Sequence, residues 1–121
     1  MTAQNAARIT QLEIRLISAS LSGLVQGSFD QVWGAFNEAG EELARGAGVT
    51  ERVALSKLVA ANYDRVGGIV MRRQNYACAD CGAVAGLERH HVKFRSHGRV
   101  DTEDNIRWIC PPCHRRRHGG K

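Results

Sequence analysis

Apolar positions in the first seventy residues recur at helical spacing. Ile9, Leu12, Leu16 and Ala19 follow one stripe, and Ile14, Ile17, Leu21 and Val25 follow a neighbouring one. Thr10-x-x-Glu13 has the form of a capping box, and so does Ser28-x-x-Gln31. Phe29, Val32, Trp33, Phe36 and Leu43 then offer an apolar face to a second helix, which Gly46 and Gly48 would end. Thr50 is the N-cap position of a third helix running to about Arg72, with Leu55, Leu58, Val59, Val66, Ile69 and Val70 as its buried positions and a kink or hinge at Gly67-Gly68. The pattern predicts about three helices over residues 1–71. The two stripes on the first helix fit either a three-helix bundle or a dimer interface, so a homodimer contact or a protein partner is the role left to this half.

Beyond Met71 the pattern changes. Leu87 to Val92 has strand character, Ser96 to Asp104 is a polar loop containing Gly98, and Ile106, Trp108 and Ile109 around Arg107 read as a second short strand. Pro111-Pro112 stops that strand, and His114 to His118 reads as a short helix closed by Gly119-Gly120. The expected class is α+β: a helical region over 1–71 and a small strand–loop–strand–helix module over 72–121.

Charge and cysteines divide at the same place. Residues 1–71 carry six Lys/Arg against seven Asp/Glu, a net of −1, and residues 72–121 carry eleven against five, a net of +6. A basic module suggests a polyanionic partner, nucleic acid first. All four cysteines lie in it, as Cys78-x2-Cys81 and Cys110-x2-Cys113 with 28 residues between the pairs. Each pair can offer two thiolates to one ion, which is the pattern of a structural zinc site, and a module of this size is too small to fold securely on apolar burial alone. Met1 to Leu24 lacks the pattern of a signal peptide, and no run is long enough to span a membrane. The chain is therefore expected in the cytoplasm, where thiols stay reduced and metal is favoured over the competing reading of two disulfides.

The clip has no use for His90, His91, Asn105 or His114. Cys78-x2-Cys81, His90-His91, Asn105 and Cys110-x2-Cys113-His114 together resemble, in order and spacing, the HNH endonuclease family with its ββα-metal fold, over about residues 72–119. The resemblance implies a zinc-stapled ββα-metal module in which His91 is the general base, His90 and His114 are ligands of a catalytic divalent ion, and Asn105 braces the loop and orients the base. His118 lies four residues after His114 on the same helical face and is a candidate further ligand. Histidine ligation suits Mn, Ni, Zn or Co better than Mg. The chain departs from the family pattern at Val92, where a Pro is common, and at His97-Gly98, where a Gly-Gly is usual; both bear on the loop's geometry.

Arg95, Arg99, Arg115, Arg116 and Arg117 are candidate contacts to a phosphate backbone. The resulting expectation is a metal-dependent DNA endonuclease of low intrinsic sequence specificity, of the kind found in bacterial or phage-infected cells. A non-catalytic four-cysteine module that binds nucleic acid or a protein is the competing reading. An RNA-directed nuclease or toxin would use the same residues.

Overall fold

Thr2 opens the chain's first helix by accepting a hydrogen bond from the Asn5 amide at 3.1 Å. In this computed structural model, which describes residues 1–21, 29–93 and 98–117, that helix is α1, Ala3–Thr10. It stops where Gln11 turns left-handed at φ 58°, with Thr10 Oγ1 donating back to the Ala6 carbonyl at 2.8 Å. Thr10 is thus the last residue of a helix, not the cap of a new one.

The next elements overturn the expected helical region. Three antiparallel strands follow: β1 (Glu13–Leu21), β2 (Phe29–Phe36) and β3 (Glu42–Gly48), paired in the order β1-β2-β3. The physical reason is that the apolar residues serve a period of two. Ile14 faces Ala35 and Ala35 faces Ala44; Leu16 faces Trp33 and Trp33 faces Gly46. Ile14, Trp33, Ala35 and Ala44 pack with Ala6 and Ile9 of α1 in one core, while Glu13, Arg15 and Arg45 alternate with them along β1 and β3. Asn37 and Gly40 (φ 82°) form the β2–β3 turn, with Asn37 Oδ1 accepting from the Glu41 amide at 2.9 Å. Of the expected cap at Ser28, Ser28 lies outside the described residues and Gln31 is in β2.

Helix α2 (Glu51–Arg73) is where the periodicity predicted it, and Thr50 Oγ1 accepts from the Val53 amide at 3.1 Å as its N-cap should. Leu55, Leu58 and Val59 are buried in the same core as the sheet. Gly46 and Gly48 do not end a helix; they let β3 approach α2. A side chain at Gly46 would overlap the Ala54 carbonyl and sit 2.9 Å from the Leu58 Cα.

The chain forms two compact units, Met1–Asp64 and Arg65–Lys121, divided inside α2. In the second, β4 (Glu88–His91) and β5 (Ile106–Ile109) pair antiparallel, with Glu88 opposite Ile109 and His91 opposite Ile106, and α3 (Pro111–Arg117) follows. Pro111 opens this helix, at a position where the missing N–H is not needed. Helix α2 runs through Gly67-Gly68 unbroken, and the bare Cα of Gly67 admits Arg89 and Trp108: a Cβ there would lie 3.0 Å from Arg89 Cδ and 3.4 Å from Trp108 Cζ2.

Gln74, just past α2, completes the outer edge of β5. Its side chain donates to the Trp108 carbonyl at 2.8 Å and accepts from the Trp108 amide at 2.9 Å, as a paired strand residue would. Trp108 Nε1 donates to the Gly67 carbonyl at 2.7 Å. These bonds fix the hairpin that carries the histidines. Among the described residues no helix is long and apolar enough to cross a membrane.

Candidate functional site

The turn after α2 and the start of α3 bring four sulfurs together. The ligand atoms of Cys78, Cys81, Cys110 and Cys113 all lie within 4.8 Å of one another. Cys81 Sγ and Cys110 Sγ are 3.6 Å apart. A tetrahedron of thiolates around zinc has an edge of about 3.8 Å, whereas a disulfide needs about 2.05 Å. All four cysteines are free.

The donor set fits a divalent cation on electrostatic grounds too. Burial pushes the Cys113 thiol up to about 12, helped by hydrogen bonds with Cys110, Cys81 and Cys78. Burial also pushes Cys78 up, but amide donors from Cys110, Cys81 and Asp80 outweigh it and bring that thiol down to about 6. The Cys110 and Asp80 amides each lie 3.4 Å from Cys78 Sγ. One sulfur is thus prepared for charge while another resists it, and four thiolates at this separation call for a cation between them.

The cations of α3 serve this corner. Arg116 donates to Cys113 Sγ at 2.9 Å. Arg117 reaches Asp80, whose carboxyl is held below its usual range by that hydrogen bond first, with Nε to Oδ2 at 2.7 Å. Arg115 is exposed, and Arg95 lies outside the described residues. Arg99 pairs with Asp101. Three of the five arginines singled out in the sequence therefore have partners within the protein.

Next to the sulfur cluster, the strand β4 separates its two histidines by alternation. His90 and His91 are both buried, at 4% and 7% exposure. The His90 ring meets the ring of His114 on α3 edge-to-face, with centroids 5.2 Å apart. Glu88, two residues earlier on β4, comes within 3.3 Å of His114 Nδ1 through Oε1. Two imidazoles and a carboxylate thus converge between β4 and α3, a donor set suited to a divalent transition metal. Among the described residues only the four cysteines bring three or more ligand atoms within a single ion's reach; His90, His114 and Glu88 do not form such a set by themselves. His118 lies outside the described residues.

His91 turns the other way. Its Nε2 lies 2.8 Å from Asp101 Oδ1, and Asp101 is fully buried. Arg99 forks onto the same carboxylate, Nε to Oδ1 at 3.0 Å and NH2 to Oδ2 at 2.8 Å. Asn105 spans the loop between the strands: Oδ1 accepts from the Lys93 amide at 2.7 Å, Nδ2 donates to the Val100 carbonyl at 2.7 Å, and its own carbonyl accepts from the Val92 amide at 2.8 Å. The chain on both sides of the loop is thereby held to one side chain.

Asp101, Glu88 and Gln74 were not singled out by the sequence. Asp101 is one of five acidic residues in the basic half, and nothing in its neighbours marks it as buried. Glu88 carries a weak signal, since a residue two before His90 on a strand shares its face.

Residues 78–120 match the family model described as HNH endonuclease. No curated protein and no solved structure matches the chain.

Proposed function

We propose, from the premise that residues 78–120 carry an HNH endonuclease domain, that the protein is a metal-dependent endonuclease hydrolysing DNA phosphodiester bonds with little sequence preference. The observation that carries this reading is the orientation of His91: a buried imidazole with one ring nitrogen tied to Asp101, beside a loop braced by Asn105. A structural zinc clip has no need of that arrangement.

In this reading the sulfur cluster binds zinc and joins the segment before β4 to the start of α3, so that His90 is presented against His114, and His91 on the opposite face of β4, without a large core. His90 and His114, with Glu88 at hand and His118 nearby in sequence, hold a divalent ion. That ion, when bound, would neutralise charge on the scissile phosphate and on the leaving oxygen.

His91 takes a proton from a water as its oxygen forms the new bond to phosphorus, the bond from phosphorus to the sugar oxygen breaks, and the departing oxygen takes a proton from solvent. An imidazole suits the task because its ordinary pKa lies near neutrality. Asn105 keeps the chain on both sides of His91's loop in place during the step. Arg115 on the exposed face of α3 contributes backbone contact that is independent of sequence.

The test is a substrate panel. Zinc-loaded protein is incubated with supercoiled plasmid, single-stranded DNA and RNA in Mn, Ni, Co, Zn or Mg. The proposal expects nicked or linear plasmid with at least one metal. Plasmid left intact in every metal would overturn it and leave the non-catalytic four-cysteine module; cleavage of RNA alone would overturn the assignment of DNA.

A further inference from the structure

Asp101 is a buried carboxylate to which the catalytic assignments above give no role of its own. It sits at 1% exposure in the loop between β4 and β5, and both of its oxygens accept from the Arg99 guanidinium. A carboxylate held by that fork is an acceptor at both oxygens. His91 Nε2, 2.8 Å from Oδ1, must then be the donor. Nε2 therefore carries a proton whether the ring is neutral or charged, and in the neutral ring Nδ1 has none.

We propose that Asp101 is a positioning residue for His91: it fixes the Nε2–H tautomer and the ring's orientation, making Nδ1 the nitrogen that accepts the proton from the attacking water. This deepens the nuclease reading and rests on it for the chemistry, although not for the geometry. Arg99 is then a second support, acting on His91 through Asp101 and not by contact with DNA.

The arrangement does two things. It disfavours the ring flip that would exchange each nitrogen with a carbon, since a flipped ring would turn Cε1 towards Oδ1 and lose a hydrogen bond to a buried carboxylate. It also places a negative charge against the imidazolium that exists after proton transfer, at the moment when that charge appears. The pair is enclosed: Asp101 is buried and His91 nearly so, which strengthens both effects.

Two measurements test this. The first uses wild-type, zinc-loaded protein labelled with 15N-histidine, with two-bond proton–nitrogen correlations assigned to His91 by their loss in His91→Gln. The neutral ring should show the Nε2–H pattern; an Nδ1–H pattern would overturn the proposal. This reading needs no activity, and it stands even where a variant at Asp101 does not fold.

The second compares Asp101→Asn with wild type in plasmid cleavage, with zinc content matched. The amide puts an NH2 where an oxygen accepted, which disturbs the tautomer while keeping the volume. The expected result is a fall in kcat of about 100-fold with KM for plasmid and zinc content unchanged. Cleavage within about threefold of wild type would overturn it. If wild type itself cleaves nothing, the nuclease reading falls, while the nitrogen spectrum still decides whether Asp101 sets the tautomer.

Discussion

Removing the metal from the sulfur cluster should unfold the second unit and spare the first. The buried cluster around this site consists of Cys78, Ile109, Cys110 and Cys113, with Leu87 packed against it. Three of its four buried members are the cysteines, so the apolar packing that this cluster keeps without metal is Ile109 and Leu87. Burying two such side chains stabilises by about 3–6 kcal/mol at most, and less from a compact unfolded state. A four-thiolate zinc contributes on the order of 10 kcal/mol. The larger contribution is therefore the ion's, and its loss exceeds what local packing can offset.

The chain reports on this by itself, because its two tryptophans fall one in each unit, Trp33 on β2 and Trp108 on β5. In Trp33→Phe, chelation under reducing conditions should shift Trp108 emission towards that of a solvated indole, as the bond from Nε1 to the Gly67 carbonyl is lost. In Trp108→Phe, the same treatment should leave Trp33 emission in place. Unchanged Trp108 emission in protein stripped below about 0.1 zinc per chain would show that the ion does not hold the second unit together.

Other consequences concern single side chains. Asn105→Ala removes two hydrogen bonds that hold the loop and should cost about 2 kcal/mol in the second unit's stability; Asn105→Asp keeps the acceptor for Lys93 and should lose about half as much, with chemical denaturation measuring both. Gly46→Ala should destabilise the first unit by at least about 3 kcal/mol, because the methyl meets the backbone of α2, whereas Gly40→Ala meets nothing and should cost about 1 kcal/mol of left-handed strain; thermal melts separate them. Gln74→Ala strips the edge of β5 of its side-chain partners and should increase amide exchange at Trp108 while leaving β1–β3 protected.

The two halves of the chain were not equally legible, for physical reasons. The C-terminal elements followed from local chemistry: Leu87 to Val92 and Ile106 to Ile109 contain β4 and β5, and the paired cysteines lie together as their spacing required. Helix α2 also followed, because Leu55, Leu58, Val59, Val66 and Val70 keep a helical period over many turns and are buried. Residues 13–48 did not, because Ile14, Leu16 and Trp33 each fall on a helical stripe of the sequence as well as in the strand register.

The better signal there was the punctuation. Asn37 to Gly40 is a hairpin turn, and Gly34, Gly46 and Gly48 are costly inside a helix but suit close approach in a sheet. For the site, His90 with His114 was visible as a pair of expected neighbours, whereas the contact of His91 with Asp101 depends on how the loop folds back. No local pattern encodes that.

In the proposed endonuclease His91 does the chemistry and the sulfur cluster only supports it. The most direct measurement is single-turnover plasmid cleavage by His91→Ala, with zinc content and Trp108 emission matched to wild type. The expected loss is about 10²- to 10⁴-fold with the fold intact. Cleavage by His91→Ala at the wild-type rate would contradict it.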